Sequence, residues 1–454
     1  MKKILSAVAA FGLVAAVATT ASALDFSVSG SYSVTGNYLS DSDGQGLIVN
    51  EALANDDNAP DAYWMHTFAI KPVMTVNDKI TMFSEVRLAD NTVWGSQTGG
   101  DVNAAGSTVS GTAGDVYVHR LYMQYMSPIG KVQVGRLSSG PWGTPFLDTD
   151  GRANGIKLWP SALASGPWST YFYVGKGNES DAQTTANNSV ADGDSDSYEG
   201  RIYYKDDALD AGMRYNYTDN DSTAANQNIS TTILGVYGVY KWSNYFFATE
   251  IVSYGGTTET DGATADVDRS GTAALLEIGG QFDNLSVAAA YVYASGDDNT
   301  ADNDNENFAM MNSGLGTEFT PLYILTGRGM GCLNADINAA DNLTGGAVAN
   351  AGTHTFAILA DYKASDRLTL HGAIAYAQAD EEVDNGALGV TSYAGRDSDY
   401  GMEYDLGAAY KLLDNLTYEA HFGYLATGDF FKPNATTDTT TSVYVLTHSL
   451  TMTF

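Results

Sequence analysis

The stretch 442–454 alternates in polarity with a period of two. Tyr444, Leu446, Leu450, Met452 and Phe454 share one parity, whereas the other parity is mostly Thr, Ser and Val. A period of two predicts a β-strand. An apolar face opposite a hydroxylic face suits a sheet with lipid on one side and water on the other, although a soluble sheet can alternate too. An apolar strand that ends the chain is an exposed edge unless another strand pairs with it.

The same alternation recurs along the whole chain, with long polar connections and short turns between the strands in alternation. The predicted strands are 26–38, 64–74, 80–88, 116–126, 131–137, 156–159, 170–174, 198–205, 209–217, 231–242, 245–254, 273–282, 285–293, 355–363, 368–376, 402–412, 416–425 and 442–454. We therefore predict an all-β fold, a single transmembrane antiparallel β-barrel with long external loops and short periplasmic turns.

The strand count is 16 to 18, with 18 preferred. It falls to 16 if a short element such as 156–159 is not a true strand. The segment 297–350 is the weakest part of the count, because the apolar stretch 319–325 inside it could be a strand, a lid or a plug.

The first residues have the layout of a secretory signal peptide. Lys2 and Lys3 precede an apolar run over 4–17, and small residues follow at Ala21 and Ala23. This layout predicts a signal peptide over 1–23 and a mature barrel over 24–454. No other stretch approaches the roughly 20 apolar residues of a membrane helix. We expect the protein in the outer membrane of a Gram-negative cell, after transit through the periplasm.

The chain is strongly acidic, with a formal net charge of −32. The acids concentrate in connections between strands, such as 192–196 and 302–306, where they indicate solvated loops or loops that bind divalent cations. This charge disfavours nucleic-acid binding. Cys332 is the only cysteine, so no disulfide is expected within the chain. We predict no cofactor and no bound metal.

The sequence contains no familiar catalytic motif. It lacks a Gly-x-Ser-x-Gly elbow, a His-Glu-x-x-His pair and a Walker Gly-Lys-Ser sequence. By strand parity His371 and His421 face the interior, whereas His119 and His448 lie on the apolar face. An enzyme would need Ser or Asp beside an interior His, and we predict that the protein is not an enzyme.

The charged residues of the strands fall mainly on the parity opposite the apolar face. A charge facing lipid near the membrane centre costs about 2–4 kcal/mol, so these residues should point inward and line water. The basic ones include Arg87, Arg120, Arg201 and Arg214, and the acidic ones include Glu85, Glu403, Asp405 and Glu419. Arg136 shares parity with Val134, so it faces inward only if Gly135 forms a bulge.

The connection 138–152 differs from the other loops, because it has Pro, Trp and Phe where they have Asn, Thr and Asp. We expect this loop to fold inward and narrow the pore, with Trp142 and Phe146 packed against the wall. Asp148 and Asp150 would then face the basic residues of the wall.

The run 116–159 resembles the general porins of Gram-negative bacteria, in the Gly-Lys-Val-Gln-Val-Gly-Arg-Leu sequence that precedes this loop. That resemblance implies a third external loop folded inward opposite arginines, matched here by Arg87, Arg120 and Arg136, and a homotrimer. Tyr444, Leu450, Met452 and Phe454 resemble the terminal strand that the outer-membrane insertion machinery recognises. The loop lacks the Pro-Glu-Phe-Gly motif of enterobacterial porins, and 18 strands are nearer to substrate-specific channels.

We therefore predict an outer-membrane porin, a water-filled channel for passive diffusion of small hydrophilic solutes and ions, in contact with the lipid bilayer and lipopolysaccharide. The alternative is a substrate-specific channel for sugars or organic acids. A third hypothesis is a closed structural or adhesive barrel whose acidic loops bind surface partners or Ca²⁺. For the porin, the acidic loops predict a weak cation preference at low ionic strength.

Overall fold

The computed structural model describes most of the chain beyond the predicted signal peptide, and residues 1–23 lie outside the described part. The described residues are 24–40, 61–94, 117–138, 140–148, 152–179, 193–222, 227–260, 265–299, 302–308, 321–326, 351–381, 397–431 and 442–454. Among them, no helix is both long and apolar enough to span a membrane.

The described residues form a closed antiparallel barrel of 18 strands, the preferred count. The strands are β1 Asp25–Leu39, β2 Asp61–Asn77, β3 Ile80–Val93, β4 Tyr117–Ser127, β5 Gly130–Ser138, β6 Arg152–Pro160, β7 Trp168–Asn178, β8 Ser195–Lys205, β9 Leu209–Ser222, β10 Gln227–Trp242, β11 Tyr245–Thr260, β12 Val267–Phe282, β13 Leu285–Ala294, β14 Thr353–Lys363, β15 Leu368–Gln378, β16 Asp399–Leu413, β17 Leu416–Thr427 and β18 Val443–Thr453. β6 contains the stretch 156–159, on which the lower count of 16 strands depended. It pairs with both of its neighbours and is therefore a true strand.

Short elements outside the barrel strands complete the described structure. Three 3-10 helices span Pro145–Leu147, Ser161–Leu163 and Asp429–Phe431. The two residues Asp304–Asn305 pair in parallel with the first part of β12.

Tight turns join consecutive strands at one end of the barrel. In the β2–β3 turn, Asn77 Oδ1 accepts the backbone N–H groups of Lys79 and Ile80 at 2.9 and 3.0 Å. In the β8–β9 turn, Asp206 accepts the N–H of Leu209 in the same way. That bond, with others in the turn, lowers the pKa of the Asp206 carboxyl. Such Asx turns favour short strand connections because the side chain replaces a backbone acceptor.

The two faces of the barrel wall differ in exposure. On β10, β11 and β12, Val236, Ile251 and Leu276 point outward and are 42%, 48% and 42% exposed. The residues that alternate with them, including Tyr237 and Glu250, are buried on the inner face. Exposed apolar side chains in such a continuous band are what a lipid-facing surface requires.

The barrel closes where β1 pairs with β18. The register runs from Ser31 opposite Thr453 to Leu39 opposite Val445. Beyond it, Gly30 N–H donates to Phe454 O at 2.9 Å and Phe454 N–H donates to Gly30 O at 3.1 Å. The proposed insertion residues Tyr444, Leu450, Met452 and Phe454 are all exposed, and the pairing leaves no free edge at the end of the chain.

Replacing Gly30 with alanine should weaken this closure. A Cβ at Gly30 would lie 2.5 Å from Ala69 O and 2.5 Å from the Phe454 ring. Overpacking of this kind typically costs about 1–3 kcal/mol. We expect Gly30→Ala to lower the urea midpoint of unfolding, measured by the loss of the heat-modifiable band on SDS gels. Gly238→Ala is the matched control, because a Cβ at that glycine meets no atom within 4 Å. Equal loss of stability in both variants would contradict the closure argument.

Candidate functional site

One connection folds back onto the inner face of the barrel. We call its described residues 140–148 the inner loop. Trp142 and Phe146 are 2% and 0% exposed and pack with inward residues of β10 to β13, such as Val252 and Leu275. The Pro145–Leu147 helix begins after Thr144, whose Oγ1 accepts the Phe146 N–H at 3.2 Å. The inner loop therefore leaves β5 and packs on strands far around the wall.

Glu250 holds the inner loop to the wall. Its Oε1 accepts the indole N–H of Trp142 at 2.8 Å, and its Oε2 accepts the backbone N–H and the hydroxyl of Thr144 at 3.0 and 2.7 Å. Three donors on one carboxylate make strong, charge-assisted contacts. Gly143 lies in the left-handed region at φ 57°, and a Cβ there would be 2.9 Å from Glu250 Oε2 and 3.1 Å from the Tyr237 ring. Only glycine fits this close approach without strain.

Two buried arginines lie beneath the inner loop. Arg201 and Arg214 are direct cross-strand partners on β8 and β9. Arg201 donates from Nη1 to Pro141 O at 3.1 Å, and its Nε and Nη2 donate to the two oxygens of Glu199 at 2.8 and 3.0 Å. The Arg214 guanidinium lies 5.0 Å from the centroid of the Trp142 ring. Trp142 thus combines a hydrogen bond to Glu250 with cation–π contact to the wall.

A second basic group lies on β3 and β4. Arg87 Nε donates to Glu85 Oε1 at 3.1 Å, its Nη1 donates to Asp90 Oδ1 at 2.6 Å, and its Nη2 reaches His119 Nε2 at 2.8 Å. Arg120 Nε lies 3.7 Å from Glu85 Oε2. Because a guanidinium can only donate, His119 must accept from Arg87. The structure therefore brings two of the predicted basic residues together around one predicted acid.

His119 is on the inner side of the wall, so its predicted place on the apolar face is wrong. Glu85 pairs with Arg120, but the next pair is Val86 with Val118, which leaves His119 as an extra residue in β4. Such a bulge turns two consecutive side chains to one face. His119 is accordingly fully buried, while Val118 is exposed.

Arg136 keeps the parity of Val134. The pairing of β5 with both neighbours passes through Gly135 without a register shift, so Gly135 forms no bulge. Arg136 is opposite Leu121, which is exposed on the outer face. Its Nε donates to the backbone carbonyl of His119 at 3.3 Å. The resemblance to general porins placed Arg136 with Arg87 and Arg120 on the inner face, and the pairing does not support that placement.

A second piece of chain, 321–326, also packs against the inner wall, and we call it the inner segment. Leu322, Tyr323, Ile324 and Leu325 are between 0% and 4% exposed and contact inward residues of β14 to β18. The sequence alone allows a strand, a lid or a plug at 319–325. Its described part, 321–326, belongs to no strand and covers the wall from inside.

Two predicted interior acids hold the inner segment. Glu403 accepts the backbone N–H groups of Ile324 and Leu325 at 2.6 and 2.7 Å. Asp405 Oδ2 accepts the Tyr323 N–H at 3.2 Å, and the Tyr323 hydroxyl reaches His421 Nδ1 at 2.6 Å. Glu403 and Asp405 were expected to line water, and they are instead buried because the inner segment covers them.

The other predicted site residues are placed separately. Glu85 is also buried, whereas the Glu419 side chain is 44% exposed and lies 3.5 Å from His421. Asp148 directly follows the 3-10 helix Pro145–Leu147, and its backbone N–H donates to Pro145 O at 3.3 Å. Asp150 lies outside the described residues, so the predicted acidic pair facing the arginines is described only at Asp148.

Sequence reasoning missed Glu250, which fixes the inner loop. The signal was present, because Glu250 has the parity opposite the outward Ile251 within β11, the same rule that selected Glu403 and Asp405. It also missed Lys157, whose Nζ donates to Ser138 O at the start of the loop.

One group of carboxylates lies in the connection that follows β13, beyond the barrel strands. Asp297, Asp298 and Glu306 bring oxygens within 4.8 Å of one another. The nearby Asp298 raises the pKa of Glu306, and burial raises the pKa of Asp297. Oxygen ligands of this kind suit a hard divalent cation, but exposed acidic groups commonly cluster without one.

Comparison with known proteins identifies the class of fold. Neither a family model nor a curated protein sequence matches the chain. Among solved structures it resembles Pseudomonas aeruginosa OccK9 (OpdG), with TM-score 0.53 and 12% identity over 95% of this chain and 99% of that one. It also resembles P. aeruginosa OccK8 (OprE), with TM-score 0.52 and 11% identity over 95% and 98%.

Acinetobacter baumannii OccAB2 gives a similar result, with TM-score 0.51 and 14% identity over 94% of this chain and 98% of that one. These proteins are porins of the Gram-negative outer membrane. At such identities the likeness concerns the fold, and the fold of this chain is that of the outer-membrane porins.

Proposed function

We propose that the protein is a selective outer-membrane channel through which small hydrophilic solutes diffuse passively. The observation that carries the proposal is the pair of inward pieces of chain, each fixed to the inner wall by a buried carboxylate. A barrel of this size without such pieces leaves a wide aqueous channel. Two pieces on different sectors of the wall leave a narrower path, in which a solute contacts protein on several sides.

This geometry favours the substrate-specific alternative over a general diffusion porin. The resemblance to general porins implied one inward loop after the fifth strand. The inner segment is a second one, and it packs on β14 to β18 while the inner loop packs on β10 to β13. The likeness of the fold to the Occ porins supports the same choice.

The partly exposed charges on β3 and β4 favour small organic anions over sugars. Glu250, Glu403 and Asp405 are buried and accept hydrogen bonds from the two inward pieces. By contrast, the side chains of Arg87 and Arg120 are 21% and 32% exposed. Guanidinium groups that reach water attract carboxylates and can bind them through two parallel hydrogen bonds. The acidic loops would then act at the channel mouth, and the basic wall inside would choose the solute.

The proposals on oligomeric state and membrane insertion rest on the resemblance to general porins. It implies a homotrimer in contact with lipopolysaccharide, inserted by machinery that recognises Tyr444, Leu450, Met452 and Phe454. We propose the Gram-negative outer membrane as the location, because the neighbours in fold are porins of that membrane.

Single-channel recording of the refolded mature protein in a planar bilayer tests the proposal. We expect small ohmic steps, a reversal potential that favours anions under a salt gradient, and block by an organic acid but not by a sugar. Arg120→Gln should shift the reversal potential toward cations, because it removes a partly exposed inner charge. Arg367→Gln, at an exposed turn on the short-turn side of the barrel, is the control for net charge.

Two outcomes would contradict the proposal. Large cation-favouring steps without block would indicate the general porin and the weak cation preference that the acidic loops predict. Absence of conductance would indicate a closed structural barrel.

A further inference from the structure

Arg201 and Arg214 are neighbours, but only Arg201 donates hydrogen bonds to a carboxylate among the described residues. Both are buried on the inner face and lie directly opposite each other on β8 and β9. The Nε and Nη2 of Arg201 hold both oxygens of Glu199. The Nε and Nη2 of Arg214 have no hydrogen-bond acceptor among the described residues. Like charges directly opposite on paired strands repel. Glu199 and Glu250 attract the Arg214 charge, but neither accepts a hydrogen bond from its Nε or Nη2.

The sequence explains why no acid on the same strand binds the Nε and Nη2 of Arg214. Glu199 lies two residues before Arg201 on the same face of β8, and the equivalent residue on β9 is Gly212. A Cβ at Gly212 would lie 2.6 Å from the Tyr237 ring and 2.9 Å from Ile202 O. A side chain is therefore excluded at the position from which an acid could reach the guanidinium.

The other neighbours of Arg214 fix the guanidinium in place without accepting from it. Trp142 of the inner loop covers its face. The Arg214 side chain lies over Gly235, where a Cβ would be 3.1 Å from Nε. Asn216 is two residues after Arg214 on the same face of β9, and its Oδ1 accepts a hydrogen bond from the Thr218 hydroxyl at 3.2 Å instead of one from Arg214. The edge formed by Nε and Nη2 has the geometry that binds two oxygens of one carboxylate or phosphate group.

We propose that Arg214 binds one small oxoanion through this edge, as a resident ligand enclosed between the inner loop and β8 to β9. The donors are buried beneath Trp142, so the anion enters while the loop is open or as the chain folds, and it is retained when the loop closes. Burying charged N–H donors without a hydrogen-bond acceptor is strongly unfavourable. The bound oxoanion removes that cost in the closed state and so stabilises the closed loop. This role is separate from the choice of permeating solute.

The test measures anion retention and stability, both independent of conductance. The mature protein is refolded at constant pH and ionic strength in chloride alone, with inorganic phosphate, or with acetate, and then freed of unbound anion by gel filtration. We expect one phosphate or one acetate per chain to be released on denaturation, measured by ion chromatography. We also expect a higher thermal midpoint than in chloride. The anion that gives both effects identifies the ligand as phosphate or carboxylate.

Variants separate this site from general salt effects. Arg214→Met should lose both the retained anion and the midpoint shift, and Arg214→Lys should bind more weakly because an ammonium cannot present two parallel donors. Arg367→Met removes an exposed turn charge and should behave as the unmodified protein. Release of no anion from the unmodified protein would overturn the proposal even if the Arg214 variants fail to fold. An identical midpoint shift in folded Arg214→Met would overturn it as well.

Discussion

Replacing Glu250 with glutamine should release the inner loop from the wall and raise the single-channel conductance. The glutamine keeps the size of the side chain, but its NH₂ group must face Trp142 Nε1–H or the two donors of Thr144. A hydrogen bond to a charged acceptor is worth about 1.5–3 kcal/mol, and a buried donor left without a partner adds a penalty. A loss of about 3 kcal/mol lowers the ratio of closed to open loop roughly a hundredfold.

Planar-bilayer recording of Glu250→Gln should therefore show larger and noisier steps, with a higher size limit for permeating solutes. Glu259→Gln is the matched control, because Glu259 is on the same strand but is exposed, away from the inner loop. If Glu250→Gln is folded and conducts like the control, the inner loop does not limit the path.

The barrel could be predicted from the sequence because lipid imposes the same rule on every strand. Each of the 18 predicted stretches overlaps an observed strand. The bounds differ where strands extend beyond the apolar band, as in Val267–Phe282, predicted as 273–282, and Tyr245–Thr260, predicted as 245–254. Outside lipid both faces meet water, so the alternation ends although the backbone ladder continues.

His119 shows the limit of reading faces from parity. One extra residue in β4 shifts the parity of the strand, so that Val118 and Leu121 both face outward although they are three residues apart. A bulge depends on pairing with the neighbouring strand, which a single sequence does not display.

The residues of the candidate site can be predicted from the sequence, but the contacts between them cannot. Trp142 and Phe146 indicate a loop that packs against the wall, and strand parity places Glu403 and Asp405 on the interior face. Their partners are distant in the chain: Glu250 bonds Thr144 across 106 residues, and Glu403 bonds Ile324 across 79. Tertiary contacts of this range make buried acceptors of acids that the alternation alone places in water, and in the proposed channel they would set the width of the path.

Replacing Glu403 with glutamine should release the inner segment and give a second increase in conductance. Oε1 and Oε2 of Glu403 each accept one backbone N–H, from Ile324 and Leu325. Glutamine retains one acceptor and turns an NH₂ group toward the other donor, which leaves a buried backbone N–H unsatisfied at a cost of about 1–3 kcal/mol. Glu259→Gln is again the control, because Glu259 is exposed and lies on β11, away from the strands that the inner segment contacts.

The double variant Glu250→Gln/Glu403→Gln then shows how the two inward pieces act together. If they narrow the same cross-section from different sectors of the wall, each release widens the path and the double variant conducts more than either single variant. If they lie in series, the narrower one limits the current, so releasing only the wider one changes little and the double variant exceeds the sum of the single effects. Two results together would mean that the inner segment lies outside the permeation path. Folded Glu403→Gln would conduct like the unmodified protein, and the double variant would conduct like Glu250→Gln.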